Sequence, residues 1–359
     1  MSTQNINITD SVNESLYQIY ELYNKNNENN YITSKYDTLQ INNDADTIFY
    51  GIHGYNIKNL TNVIIFLHGF PYHQGTFNKL VNSLVQNQNR TIISFDLRGF
   101  GQSALKTPTA TPFTANQYAS DIYQACKILG IKSATFCGHS MSSLICLQIA
   151  LSYTTIVSNI ITIGGSPRFF PDLKTGWDSR YTPFTEPLFN SYYTTLPGTY
   201  PFYDQINLQV CEPLTSANVD KYEADFTTVD ETLSILNNAC LKTYGYIWYE
   251  IFTNLLGGPN LTGNSPIYPP IVDQNGPADI RYELKNIKQP ILIISSEGDN
   301  IVPSPASVYI SENIGTSPKD IKFILYDIPT YGTIGHVPQL THPNLVYKDI
   351  NNFLISRGL

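Results

Sequence analysis

Apolar residues in this chain are gathered into short dense runs separated by longer amphipathic stretches. Val63-Ile64-Ile65-Phe66-Leu67, Thr91 to Asp96, Ala134 to Cys137, Ile160 to Ile163, Ile291 to Ser295 and Ile321 to Tyr326 are each four to six residues long and almost continuously apolar. Runs that short, rich in β-branched residues, predict parallel strands covered on both faces. Helical periodicity fills the gaps near residues 76 to 86, 115 to 129, 141 to 153, 305 to 313 and 345 to 356. Ahead of them Tyr36 to Ile41 and Thr47 to His53, joined by Asn42-Asn43-Asp44, predict a β-hairpin that begins the sheet. Strands alternating with helices point to an α/β fold.

The alternation fails in two places. Residues 1–33 are polar and asparagine-rich, with a single amphipathic set, Leu16, Ile19, Tyr20 and Tyr23, that predicts one short helix packed on the main domain. Between Pro167 and Leu284 the chain turns to Pro, Tyr, Thr and Asn, with helical stretches near Ala217 to Leu236 and Ala239 to Leu256. The expected organisation is therefore an extension over 1–33, a core made of 34–167 and 285–359, and an insertion over 168–284.

Chemistry concentrates at the ends of the apolar runs. Gly138-His139-Ser140-Met141-Ser142 lies between a strand and a helix, so Ser140 sits at the apex of a tight turn with its Oγ exposed above the sheet. Small residues two before and two after the apex let strand and helix approach, although Ser142 stands where a glycine is usual. Asp299 lies just past the run 291–295, and His336 follows the run 321–326. At the end of the run 63–67, His68-Gly69-Phe70-Pro71 can turn so that the Phe70 N–H faces the space above Ser140, where the Met141 N–H would join it. Thr91 to Ser103 forms a further strand running into the glycine-rich turn Arg98-Gly99-Phe100-Gly101.

In order along the chain these segments read H-G-F, D-x-R-G-x-G-x-S, G-H-S-M, D-x-x-V-P and G-H. That series closely resembles the α/β-hydrolase fold-1 superfamily, from about residue 35 to the C-terminus apart from the middle. The resemblance implies a mostly parallel eight-stranded sheet with helices on both faces and a mainly helical cap at 168–284 roofing the serine. It implies Ser140 as nucleophile, His336 as base and Asp299 as the acid that orients it, with the N–H groups of Phe70 and Met141 as oxyanion hole. It calls for no metal and no organic cofactor. Cap aromatics, Trp177, Phe184, Tyr246 and Trp248 among them, are candidates for an acyl pocket, and the plainer alternative is that they hold the cap together.

Each candidate has a competitor. A serine at a strand-to-helix junction is often a helix cap, but five motifs in order favour the nucleophile. Glu297 competes with Asp299, and the D-x-x-V-P spacing favours Asp299. His342 competes with His336 but precedes Pro343 and is expected to start the last helix; His68, His139 and Arg98 are expected to be structural. A serine rather than an aspartate at the apex excludes the epoxide hydrolases and haloalkane dehalogenases and leaves acyl chemistry: carboxylic ester, thioester or lactone cleavage, with carbon–carbon bond hydrolysis and cofactor-free haloperoxidation as relatives. The elbow together with Gly164 to Phe169 also resembles the bacterial stress-regulator and strigolactone/karrikin-receptor group, in which a slow hydrolase serves as a sensor.

Composition narrows the partners. Of 359 residues 42% are hydrophobic and 14% charged, ample for a core, and the net charge is −8. Lys and Arg are not clustered, which argues against nucleic acid or an anionic membrane surface as partner; a small acyl substrate is what the resemblance implies. Cys126, Cys137, Cys146, Cys211 and Cys240 form an odd set without C-x-x-C spacing, so neither a disulfide framework nor a zinc site is expected. Residues 1–30 have no apolar leader and no run is long enough to span a bilayer, so the expected location is cytoplasmic.

Overall fold

The structure is a computed structural model that describes residues 33–41, 46–54, 60, 62–70, 72–86, 90–103, 113–182, 251 and 278–359. Its centre is an eight-stranded sheet of β1 (Thr33–Ile41), β2 (Asp46–Gly54), β3 (Val63–Leu67), β4 (Thr91–Asp96), β5 (Ala134–His139), β6 (Val157–Ile163), β7 (Ile291–Ser296) and β8 (Ile321–Tyr326). The strand order is β1-β2-β4-β3-β5-β6-β7-β8. β1 and β2 form the antiparallel hairpin, β2 pairs antiparallel with β4, and all later neighbours are parallel.

Side-chain alternation along the strands divides the core into two layers. Val63, Ile65 and Leu67 of β3 and Ile291 and Ile293 of β7 face one side. Ile64 and Phe66, with Leu292 and Ile294, face the other. On the first side lie α1 (Ala115–Ile128), α2 (Met141–Ser152) and α3 (Ser304–Asn313), contributing Ile122, Leu144, Ile145 and Ile310. On the second lie Leu80, Val81 and Leu84 of the helix Asn78–Leu84 and Val346, Ile350, Phe353 and Leu354 of the C-terminal helix Pro343–Ser356. Burial of each such side chain contributes about 1.5–3 kcal/mol, which is why continuous apolar runs mark these strands. The helix α2 is buried from Met141 through Leu147 and again at Ile149 and Ala150, because it is wedged between the sheet and α1; Gln148 alone in that stretch reaches the surface.

The fold class is the one expected, and the differences are local. β8 reads in sequence as a strand covered on both faces, yet only Tyr326 of it is buried. Among the described residues it is the edge of the sheet, next to β7 alone. The hairpin strands reach further than their alternation suggests, to Thr33 and Gly54, because β2 also pairs with β4. The short N-terminal helix, the helical stretches at 217–236 and 239–256 (apart from Ile251) and Cys211 and Cys240 lie outside the described residues. Cys126, Cys137 and Cys146 are buried free thiols, and burial raises all three pKa values, that of Cys126 to about 12. Among the described residues no helix is long and apolar enough to cross a membrane.

Candidate active site

The carboxyl ends of β3, β5 and β7 and the loop after β8 meet at one point. Ser140 follows β5 directly with φ 52° and ψ −119°, a backbone conformation that L side chains seldom adopt and that costs of order 1–3 kcal/mol. Its own N–H donates to the Ile163 carbonyl at 2.8 Å, fixing the apex against β6. Gly138 is required, since a Cβ there would stand 2.1 Å from the Ser142 carbonyl oxygen. At the other small position the structure shows why serine is accepted: the Ser142 hydroxyl leaves the crowded turn and donates to the His68 carbonyl. Ser143 closes the turn, its hydroxyl donating to the Gly138 carbonyl at 2.8 Å.

His336 stands between the other two expected residues. Its Nε2 is 2.9 Å from Ser140 Oγ and its Nδ1 is 2.8 Å from Asp299 Oδ2. A carboxylate can only accept, so Nδ1 carries the proton and the Nε2 lone pair faces the serine hydroxyl. The D-x-x-V spacing has a local reason: Asp299 Oδ1 accepts from the N–H groups of Ile301 and Val302, both at 2.8 Å, which aims Oδ2 at the imidazole. All three residues are buried, Ser140 with 5% of its surface exposed. Gly164, at φ 57°, passes so close that a Cβ would lie 3.2 Å from Asp299 Oδ2 and 3.4 Å from His336 Nδ1.

The competitors are occupied elsewhere. Glu297 accepts from the Ile328 N–H at the protein surface. His342 caps the last helix, with burial holding its pKa at about 4.

Around the triad-like set the remaining motifs act as braces. His139 Nε2 donates to the His336 carbonyl at 2.7 Å, and burial in the first place, then its neighbour His336, drives its pKa well below the ordinary imidazole range. His68 donates from Nδ1 to the Gly69 carbonyl at 2.8 Å and accepts the Leu97 N–H at Nε2 at 3.0 Å; burial lowers its pKa to about 3. Arg98 forms a buried two-pronged pair with Asp121 at 2.7 and 2.8 Å, holding the turn after β4 to α1. Asp96, whose carboxyl is raised by burial, accepts the N–H groups of Gln74 and Gln102 at 2.9 and 2.8 Å. Gly69 crosses directly over the elbow: a Cβ on it would be 3.0 Å from Ser140 Cβ. Of the expected oxyanion donors, Met141 is the first residue of α2, with the positive end of that helix at the nucleophile, and Phe70 follows Gly69 in the loop that crosses the elbow.

Of the four aromatics expected at the pocket, Phe184, Tyr246 and Trp248 lie outside the described residues, as does Pro71. Trp177 is described, and its surroundings are structural. Its indole stacks on Tyr181 at 4.1 Å, meets Tyr309 of α3 edge-on at 5.1 Å, lies under the Arg281 guanidinium at 5.1 Å and donates Nε1–H to the Arg168 carbonyl at 3.1 Å. Sequence reading missed this clasp, in which Arg281 bonds Asp279, Asp172 and Thr175 at 2.6, 3.0 and 2.8 Å, and Arg168 bonds Asp279 at 2.9 Å. Arg, Asp and Trp close to both ends of the insertion were the available signal. Among the described residues no group of three or more His, Cys, Asp and Glu side chains converges as metal ligands would.

A mostly parallel sheet of this order, with a strained serine after its fifth strand and an acid and a histidine after later ones, defines an α/β hydrolase architecture. The chain belongs to the alpha/beta hydrolase fold family, whose model matches residues 62–327. It is 22% identical over 299 residues to the Karrikin insensitive 2 receptor CA of Petunia hybrida, covering 81% of this chain and 92% of that protein. Over a shorter stretch, 104 residues, it is 29% identical to the sn-1-specific diacylglycerol lipase ABHD11 of Danio rerio, 29% of this chain and 32% of the lipase. Its fold is similar to that of a thermophilic esterase from Thermogutta terrifontis, with a TM-score of 0.58 and 16% identity over 90% of this chain and 98% of the esterase.

Proposed function

We propose that this protein is a serine hydrolase that cleaves a small or medium hydrophobic carboxylic ester, or a thioester or lactone, through an acyl-enzyme. The observation that carries the reading is the unbroken relay from Ser140 Oγ through the His336 imidazole to the Asp299 carboxylate, at 2.9 and 2.8 Å. In this mechanism His336 Nε2 takes the hydroxyl proton as Ser140 Oγ bonds to the acyl carbon, and the carbonyl electrons move onto oxygen. The N–H groups of Phe70 and Met141 hold that oxyanion. Collapse expels the alkoxide, which receives the proton from His336; water then repeats the sequence and frees the acid. Asp299 keeps the imidazole in the productive tautomer and stabilises it when charged.

Residues 168–284 serve as the cap and supply the acyl pocket, with Phe184, Tyr246 and Trp248 as its candidate lining and Trp177 at its root. The substrate is a small acyl compound, with no part for nucleic acid. A cytoplasmic setting suits the unpaired thiols Cys126, Cys137 and Cys146.

A second reading rests on the match to the petunia receptor along most of both chains: a slow hydrolase that senses a small ligand. Labelling with a fluorophosphonate, with mass-spectrometric mapping, beside p-nitrophenyl esters of increasing acyl length separates the two. Fast labelling at Ser140 with rapid turnover supports the esterase. Labelling with turnover of only a few per hour supports the sensor, and no labelling at Ser140 sinks both.

A further inference from the structure

The one departure from the usual elbow pattern, serine for glycine at position 142, has its own structural partner. A buried hydroxyl must donate somewhere, and what matters here is where this one lands. The Ser142 hydroxyl donates to the carbonyl of His68, the residue at which β3 ends and the loop over the nucleophile begins. One residue on, the Gly69 carbonyl accepts from the Tyr72 N–H at 2.9 Å and from His68 Nδ1 at 2.8 Å. Gly69 therefore lies between two pinned carbonyls.

That arrangement matters because Gly69 is both obligatory and loose. A side chain there would collide with His139 Nδ1 at 2.6 Å, so glycine is needed for the close approach, and glycine leaves the backbone freer to rotate than any other residue. Peptide groups are planar and trans, so fixing the Gly69 carbonyl on the Tyr72 side turns the Phe70 N–H to the opposite side. Fixing the His68 carbonyl from α2 sets the preceding peptide, and with it the height of the loop above Ser140. Ser142 and Ser140 stand two residues apart on the same rigid turn, so the reference point for the loop is the nucleophile itself.

We infer that Ser142 is a positioning residue of the proposed hydrolase: its hydroxyl sets the oxyanion loop, and hence the Phe70 N–H, against the nucleophile. This rests on the serine hydrolase reading and assigns the position a role in transition-state binding.

The experiment compares wild type, Ser142→Ala and Ser142→Cys, the second keeping the shape of serine with a much weaker donor. For each, kcat and KM are measured on the best p-nitrophenyl ester, together with inhibition by a trifluoromethyl ketone of the same acyl length. Serine adds to that ketone to give a tetrahedral oxyanion. Both variants are expected to lose roughly ten- to a hundredfold in kcat, part of what losing a whole oxyanion donor costs, with KM within about twofold. Ketone affinity should fall in step with kcat/KM. A merely structural role would lower thermal stability without that parallel loss. Unchanged kcat in either folded variant, or a loss of kcat with ketone affinity intact, overturns the inference. If Ser142→Ala does not fold, Ser142→Cys carries the same test. Absence of fluorophosphonate labelling at Ser140 in wild type overturns the hydrolase reading and this inference with it, whereas labelling with unaffected Ser142 variants overturns this inference alone.

Discussion

Two polar clusters among the described residues, one buried at the elbow and one part-buried around Arg281, are built on opposite plans. At the elbow the reacting groups meet through single links: one contact from His336 to Ser140, one from His336 to Asp299, one from His139 to the His336 carbonyl. The apex is strained. At the clasp the links are redundant, with Arg281 holding Asp279 through two nitrogens and also Asp172 and Thr175, under cover of Trp177 and Tyr282. Lone contacts leave atoms free to change partners during a reaction, whereas redundant ones keep a boundary fixed when any single bond opens. Loss of a group at the elbow should therefore cost activity and little stability, and loss at the clasp the reverse.

The sharpest break is at the apex. Ser140→Ala is expected to lower kcat by about a millionfold, measured by ester hydrolysis, while the protein stays folded. Ser140→Gly should be equally inactive yet melt at a higher temperature than Ser140→Ala, because glycine tolerates φ 52° without strain. Equal melting points would remove the claim that the elbow stores strain. Next, Asp299→Asn should reduce kcat by about four orders of magnitude with KM little changed.

At the clasp, Arg281→Ala should destabilise the fold by about 2–3 kcal/mol in urea unfolding, since charged hydrogen bonds are lost and Asp279 is left half-buried without its fork. Turnover of the shortest ester should stay within about fivefold. A large loss of kcat at unchanged stability would erase the distinction between the clusters.

Acid is expected to weaken the fold through three wholly or partly buried histidines. Burial holds His53 and His68 at about 3 and His342 at about 4, against 6.5 for a free imidazole. Each is neutral when folded and takes a proton near pH 6.5 when unfolded. Their contribution is complete above pH 6.5 and is lost as the pH falls toward 4 and then 3, at up to about 1.4 kcal/mol per pH unit for each histidine. His342→Asn should flatten the urea-unfolding stability profile between pH 6 and 4, and an unaltered slope there would contradict the assignment.

How much of this was legible from residues alone follows from the range of the forces involved. Strands β3 to β7 declared themselves because burial on both faces demands continuous apolar runs, and Asp299 because its carboxylate folds back on residues two and three further along. The strand β8 misled because an edge position is a property of the sheet and not of the run Ile321 to Tyr326. Ser142 looked merely small enough for its turn, since its partner His68 is 74 residues away. Trp177 looked like any cap aromatic, its neighbours Arg281 and Tyr309 being distant in sequence.

The Ile280 N–H donates to the Pro167 carbonyl at 3.2 Å. That contact joins the chain just after β6 to the chain just before β7, two strands that are already adjacent and parallel. The two ends of the segment 168–279 are therefore held together whatever its length, and lengthening it would add little closure entropy, about 0.6 kcal/mol per doubling. Such a junction makes the length of the segment nearly independent of the register between β6 and β7.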